Sequence, residues 1–158
     1  MLKIEIFSDV ICPWCFIGSK RIRRVIHDEK LDGIKIIHRP YQLSPRFPKE
    51  GRERPQATKN RHGDDHDSAG VPEYLFQEAS EEGIGFNYEK IRYVPNTKNV
   101  HLLIERAREI DRANELVDLF FEAYFCSGLD LREDQLLIDI ATSIGLTAED
   151  VSLSLIHI

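Results

Sequence analysis

The chain has 158 residues, room for one domain or one domain with an inserted subdomain, and its 42% hydrophobic and 30% charged content is ordinary for a soluble globular protein. A net charge of −6 argues against a nucleic-acid binder, which would usually show a basic patch, and no apolar run approaches the roughly 20 residues that cross a bilayer. Three cysteines are too few for a disulfide framework, and their odd number suits a reducing compartment.

Met1-Leu2-Lys3 leads straight into a β-like run, so no secretory signal is expected and a cytoplasmic protein follows. Leu2, Ile4 and Ile6 alternate with Lys3, Glu5 and Phe7, the period of a strand. Cys12-Pro13-Trp14-Cys15 comes next, directly before a helical pattern predicted from about Phe16 to Glu29. Ile22, Val25 and Ile26 line one side of that helix. Lys20, Arg21, Arg23 and Arg24 read as a solvated face that adds positive potential near Cys12, and Gly33 reads as the stop. A second strand, Ile34 to Arg39, ends at Pro40. Strand, helix and strand in this order make a βαβ unit with parallel strands, assigned to residues 1–43.

Residues 44–71 are polar and dense in Pro, Arg, Lys and Asp, and are read as a loop or linker; His62 and His66 within it are expected to be solvated. Residues 72–152 then read as a helical insertion. Pro72 is taken as the first residue of a helix to about Glu82, ended by Gly83 and Gly85. Asn96 or Thr97 caps the next, with Val100, Leu103, Ile104 and Ala107 in its stripe. Ala113, Leu116, Val117, Phe120, Phe121 and Tyr124 form a third, and Leu136, Leu137, Ile140, Ala141 and Ile144 a fourth, stopped by Gly145. Thr147-Ala148-Glu149-Asp150 is a capping pattern for a last helix. The final residues, Leu153-Ser154-Leu155-Ile156-His157-Ile158, match the translation of a transposon-end sequencing adapter. Residues 153–158 are therefore expected to be a non-native tail on an incomplete protein.

The Cys12–Cys15 spacing lets both sulfurs meet within one helical turn, so a disulfide can close and open with little backbone motion. At a strand-to-helix junction Cys12 meets unpaired N–H groups and the positive end of the helix dipole, which favour a thiolate. Zinc would need a further pair of ligands, and Cys126, read as a packed inert thiol, is the remaining cysteine. A redox dithiol is thus preferred over a zinc site or an inert pair, with no metal and no cofactor expected. Pro13 stiffens the first turn and Trp14 shapes the rim that meets the substrate.

The run Phe7-Ser8-Asp9-Val10-Ile11-Cys12-Pro13-Trp14-Cys15-Phe16-Ile17-Gly18, then Arg39-Pro40-Tyr41-Gln42-Leu43-Ser44-Pro45, resembles a DsbA-family thioredoxin-fold protein of the FrnE-like branch. Val94-Pro95-Asn96-Thr97, His101-Leu102-Leu103 and Phe121-Glu122-Ala123-Tyr124-Phe125 extend the resemblance. It implies an α/β, thioredoxin-like sheet with a helical domain inserted, and a thiol–disulfide oxidoreductase acting on protein or small-molecule thiols and disulfides. By that analogy Cys12 attacks and Cys15 resolves. Glu5 would be a buried proton-transfer acid, a surface strand glutamate being the equal alternative. The resemblance also implies a cis-proline loop and further strands after the insertion, which are expected to be missing here; Gly70-Val71-Pro72 is a poor substitute. Two other readings stand beside it. One is a glutathione-dependent isomerase or transferase of the kappa and 2-hydroxychromene-2-carboxylate isomerase type, whose members carry Ser at the first motif position. The other is an inactive truncated fragment. Oxidase, reductase and isomerase all use the Cys-x-x-Cys frame.

Overall fold

Apolar alternation makes extended chain, and the two alternating segments pair. Strands β1 (Leu2–Ser8) and β2 (Ile34–Pro40) run parallel, in register from Leu2 opposite Ile34 to Ser8 opposite Pro40. The computed structural model describes residues 1–54 and 71–156. Between the strands runs helix α1 (Pro13–Asp28), which opens at Pro13 rather than at Phe16. A proline at the first helical position has no N–H to leave unpaired and a φ already set for helix.

The helix stops earlier than Gly33. Lys30 takes the left-handed conformation at φ 52, and Lys30 N donates to His27 O while Leu31 N donates to Ile26 O. This is the Schellman pattern of a helix end, built on a lysine. Gly33 instead sits in the turn into β2, where its carbonyl accepts from Leu2 N at 2.8 Å.

Part of the stretch read as linker is built into the body. Arg52–Glu53 forms β3, antiparallel to β4 (Tyr93–Val94), so the second half of the chain is not purely helical. Gly51 enters β3 at φ +67, and a Cβ there would lie 2.6 Å from Val94 O, a position open only to glycine. Residues 55–70, with His62 and His66, lie outside the described residues, as do His157 and Ile158.

The remaining elements are α2 (Glu73–Glu81), a 3-10 turn (Tyr88–Lys90), α3 (Lys98–Arg108), α4 (Ala113–Phe121), a π-helical segment (Glu122–Cys126), α5 (Asp134–Ser143) and α6 (Ala148–Ile156). Pro72 stands just before α2, as its N-cap with ψ 135, rather than as its first residue. The wide turn after α4 brings Ala123, Tyr124 and Phe125 all into the interior, which an unbroken α-helix would not do. At α6 Thr147 and Asp150 form the expected reciprocal cap: Asp150 N donates to Thr147 Oγ1 at 3.1 Å and Thr147 N to Asp150 Oδ2 at 3.3 Å.

The βαβ half and the helices share one core. Val10, Ile11, Phe16 and Ile17 are buried in the same cluster as Leu103, Leu116, Phe120 and Leu137. Phe16 stacks on Phe121 with ring centroids 4.8 Å apart. The basic face of α1 is not simply solvated. Arg21 donates to Glu82 at 2.7 Å and to Glu78 at 2.9 Å, Arg24 donates to Glu82 at 2.9 Å, and Lys20 pairs with Glu122 at 3.1 Å. Arg23 pairs with Asp118 of α4. These ions tie α1 to α2 and α4, and the two arginines hold the Glu82 carboxyl down at about 2.

Candidate active site

Chain direction changes at Ser8, and the loop that follows is folded on itself by Cys12 N donating to Asp9 O at 3.0 Å. Cys12 is thereby the N-cap of α1, with φ −100 and ψ 109. Its sulfur does what a capping oxygen does elsewhere: it accepts from Cys15 N, 3.3 Å away. Cys12, Pro13, Trp14 and Cys15 therefore lie together at the start of α1. Both cysteines are half-buried and neither is in a disulfide, while Trp14 is 46% exposed and stacked on Tyr74 at 5.9 Å. Phe16, the next residue, anchors this turn in the aromatic core, so the Cys12–Cys15 pair rests on a rigid support.

The two thiols are joined by a hydrogen bond. The hydrogen bond joining them pushes the Cys12 thiol up and pulls Cys15 down to about 7, so the first ionisation near neutral pH belongs to the pair. The Cys15 amide aimed at Cys12 Sγ and the helix N-terminus draw that negative charge toward Cys12. Burial works against it, and so does the charge of Asp9, which raises both thiols. A hydrogen bond from the Asp9 backbone helps Cys15. Tyr88 lies within the electrostatic reach of Cys12, and burial pushes its phenol up.

Glu5 is not the buried acid. Its side chain is 43% exposed and paired with Arg39 across the ribbon, because its place in the β1 alternation is the outward one. Cys126 sits apart, in the π-helical segment, where burial pushes its thiol up. Among the described residues no three His, Cys, Asp or Glu side chains gather as a metal site.

Three residues around the loop escaped sequence reasoning. Asp9 is fully buried; its Oδ2 accepts from Leu43 N at 2.7 Å and its Oδ1 lies 3.3 Å from His101 Nε2. His38 is buried behind the loop, with Nδ1 3.2 Å from Ser8 Oγ and Nε2 3.5 Å from Ser19 Oγ and 3.4 Å from Arg23. Signals existed for the histidines. His38 follows Ile34 and Ile36 in the inward register of β2, and His101 flanks the Val100–Ile104 stripe. Asp9 lies in a loop, where no periodicity marks a buried position.

The sequence matches the DSBA-like thioredoxin domain over residues 3–155. Among solved structures, a probable DsbA oxidoreductase from Streptomyces coelicolor is 26% identical with a TM-score of 0.86, covering 99% of this chain and 68% of its own. The cytosolic disulfide reductase DsbM from Pseudomonas aeruginosa, solved with GSH, is 13% identical with a TM-score of 0.68, covering 96% and 71%. A 2-hydroxychromene-2-carboxylate isomerase is 14% identical with a TM-score of 0.61, covering 98% and 71%. No curated protein matches the sequence. Among the described residues no helix is long and apolar enough to cross a membrane.

Proposed function

We propose that this chain, which belongs to the DSBA-like thioredoxin domain family, exchanges disulfides through Cys12 and Cys15. The observation that carries the reading is the cap: a cysteine sulfur at the N-terminus of α1 receiving the Cys15 amide, its thiol partner one turn away. Cys12 thiolate attacks a substrate disulfide; a Cys12–substrate S–S bond forms and the other substrate sulfur leaves as thiolate. Cys15, losing its proton, then attacks Cys12 Sγ, and the second substrate thiolate departs. The substrate gains two electrons and the dithiol becomes the disulfide; the reverse sequence oxidises a substrate dithiol.

Pro13 holds the first turn and Trp14, with Tyr74, forms the aromatic rim offered to a protein or small-molecule disulfide. Glutathione is a reasonable small thiol to test, since the DsbM structure was solved with it. The quoted motif residues support an FrnE-like assignment within the family, and the odd cysteine count supports a cytoplasmic setting.

The test is thiol titration and insulin-disulfide reduction in one sample, against Cys12→Ala. Turnover lost in the variant, with a thiol ionising well below the usual value of about 8.5, is the expected result. Ordinary thiols and equal turnover would overturn the reading. Cys12→Ser separates the isomerase alternative: exchange vanishes, whereas isomerase chemistry would survive.

A further inference from the structure

Asp9 is fully buried, yet it is not the closed end of a structural network. Its backbone carbonyl accepts from Cys12 N, and its carboxylate accepts from Leu43 N, so one residue ties the loop before the dithiol to the loop after β2. Its remaining oxygen faces the imidazole of His101 at 3.3 Å without the alignment of a hydrogen bond, and both atoms are out of solvent. A buried carboxylate is costly unless it is paired. The other side of the pair is not closed. His101 lines a cleft of about 570 Å³ together with Tyr41, Gln42, Pro45, Lys98 and Glu105.

We propose that Asp9 and His101 act as a positioning pair for the dithiol: Asp9 clamps the 9–15 loop from within, and the His101 imidazole, reached from the cleft, offsets its charge. This rests on the dithiol reading above. The groups that face the pair are few. Cys12 and Cys15 feel the Asp9 charge from the loop and α1, and Tyr124 feels it from the π-helical segment. Tyr41 comes from the loop after β2, and Lys98 and Glu105 from α3 itself, Glu105 being paired with Arg108. With imidazolium beside it, Asp9 presents a neutral pair to the sulfurs and a thiolate forms readily. With neutral imidazole, the bare carboxylate opposes a second negative charge nearby. The proton on His101, exchanged with the cleft, thus reaches the dithiol without touching it.

The pair is tested by the pH profile of iodoacetamide alkylation of the reduced protein, in Asp9→Asn, His101→Gln, the double variant and Cys12→Ser. The two single variants should move the thiolate midpoint in opposite directions, Asp9→Asn down and His101→Gln up, each by about half a pH unit or more. His101→Gln should move nothing once Asp9 is Asn. A purely structural pair would lower the melting temperature and leave both midpoints in place, which overturns the proposal while Cys12→Ser still abolishes exchange. Unchanged exchange in Cys12→Ser overturns the dithiol reading and the pair with it. Should Asp9→Asn fail to fold, the unaltered protein decides: by linkage the His101 ring must titrate at higher pH, seen by NMR, in the reduced than in the oxidised form. Identical titrations overturn the proposal.

Discussion

Two histidines among the described residues lie almost out of solvent, and their surroundings are opposite in sign. His38, behind the ribbon, meets the hydroxyls of Ser8 and Ser19 and the cation of Arg23, with Arg108 donating to its backbone carbonyl at 2.6 Å. Burial first, then the charges of Arg23 and Arg108, hold its ring down to about 4. With Nε2 accepting a hydrogen bond from Arg23, the neutral ring carries its proton on Nδ1 and donates it in a hydrogen bond to Ser8. His101, against the loop that precedes Cys12, meets the carboxylate of Asp9 and opens on a cleft. One interior holds a neutral imidazole as a spacer; the other holds an imidazole beside a negative charge. Burial alone does not assign a histidine its role; the sign of the groups around it does.

The largest way to break that contrast is acid. A histidine with its folded value below the unfolded one stays neutral in the native state while the unfolded chain takes a proton. The stability from His38 is therefore complete above pH 6.5, is lost as pH falls toward about 4, and is flat below. The loss across that window is about 3 kcal/mol, read as the difference in urea midpoint between the protein and His38→Leu at each pH. A constant difference from pH 7 to 4 would contradict the assignment.

Arg108→Ala removes a cation from His38 and leaves its carbonyl at the outer edge of β2 unpaired. It should cost about 1–3 kcal/mol in urea unfolding at neutral pH, and the acid loss should become smaller and end at a higher pH, because the folded His38 value rises toward the unfolded one. Asn114→Ala acts on the same edge, where Asn114 Nδ2 donates to Ile36 O at 3.0 Å, but removes no charge. About 1 kcal/mol should be lost with the acid limb unmoved, which separates edge capping from electrostatics. Smallest in stability is His101→Gln, which keeps a donor toward Asp9. A change of about 1 kcal/mol or less should accompany its shifted alkylation profile. A large destabilisation there would make His101 a second His38.

Much of the fold could be read locally. Alternation in β1 and β2, the 3.6-residue stripes, the Thr147–Asp150 cap and the Cys12-Pro13 junction depend on neighbours a few residues away, so periodicity and side-chain chemistry determine them. The paired cysteines belong to this class, since a spacing of three within one turn brings them together in any helix start. What lay beyond reach required partners distant in the chain. The basic face of α1, read as solvated, is held instead by Glu78, Glu82, Asp118 and Glu122, all far along the chain. The π turn redirected Phe125 into the core, and a short strand formed at Arg52–Glu53 only because Tyr93–Val94 lay beside it. Asp9 and His101 are the clearest case. Neither segment by itself marks its polar residue as buried beside a charge, and only packing α3 against the loop before Cys12 puts a carboxylate oxygen and an imidazole nitrogen 3.3 Å apart, both atoms out of solvent.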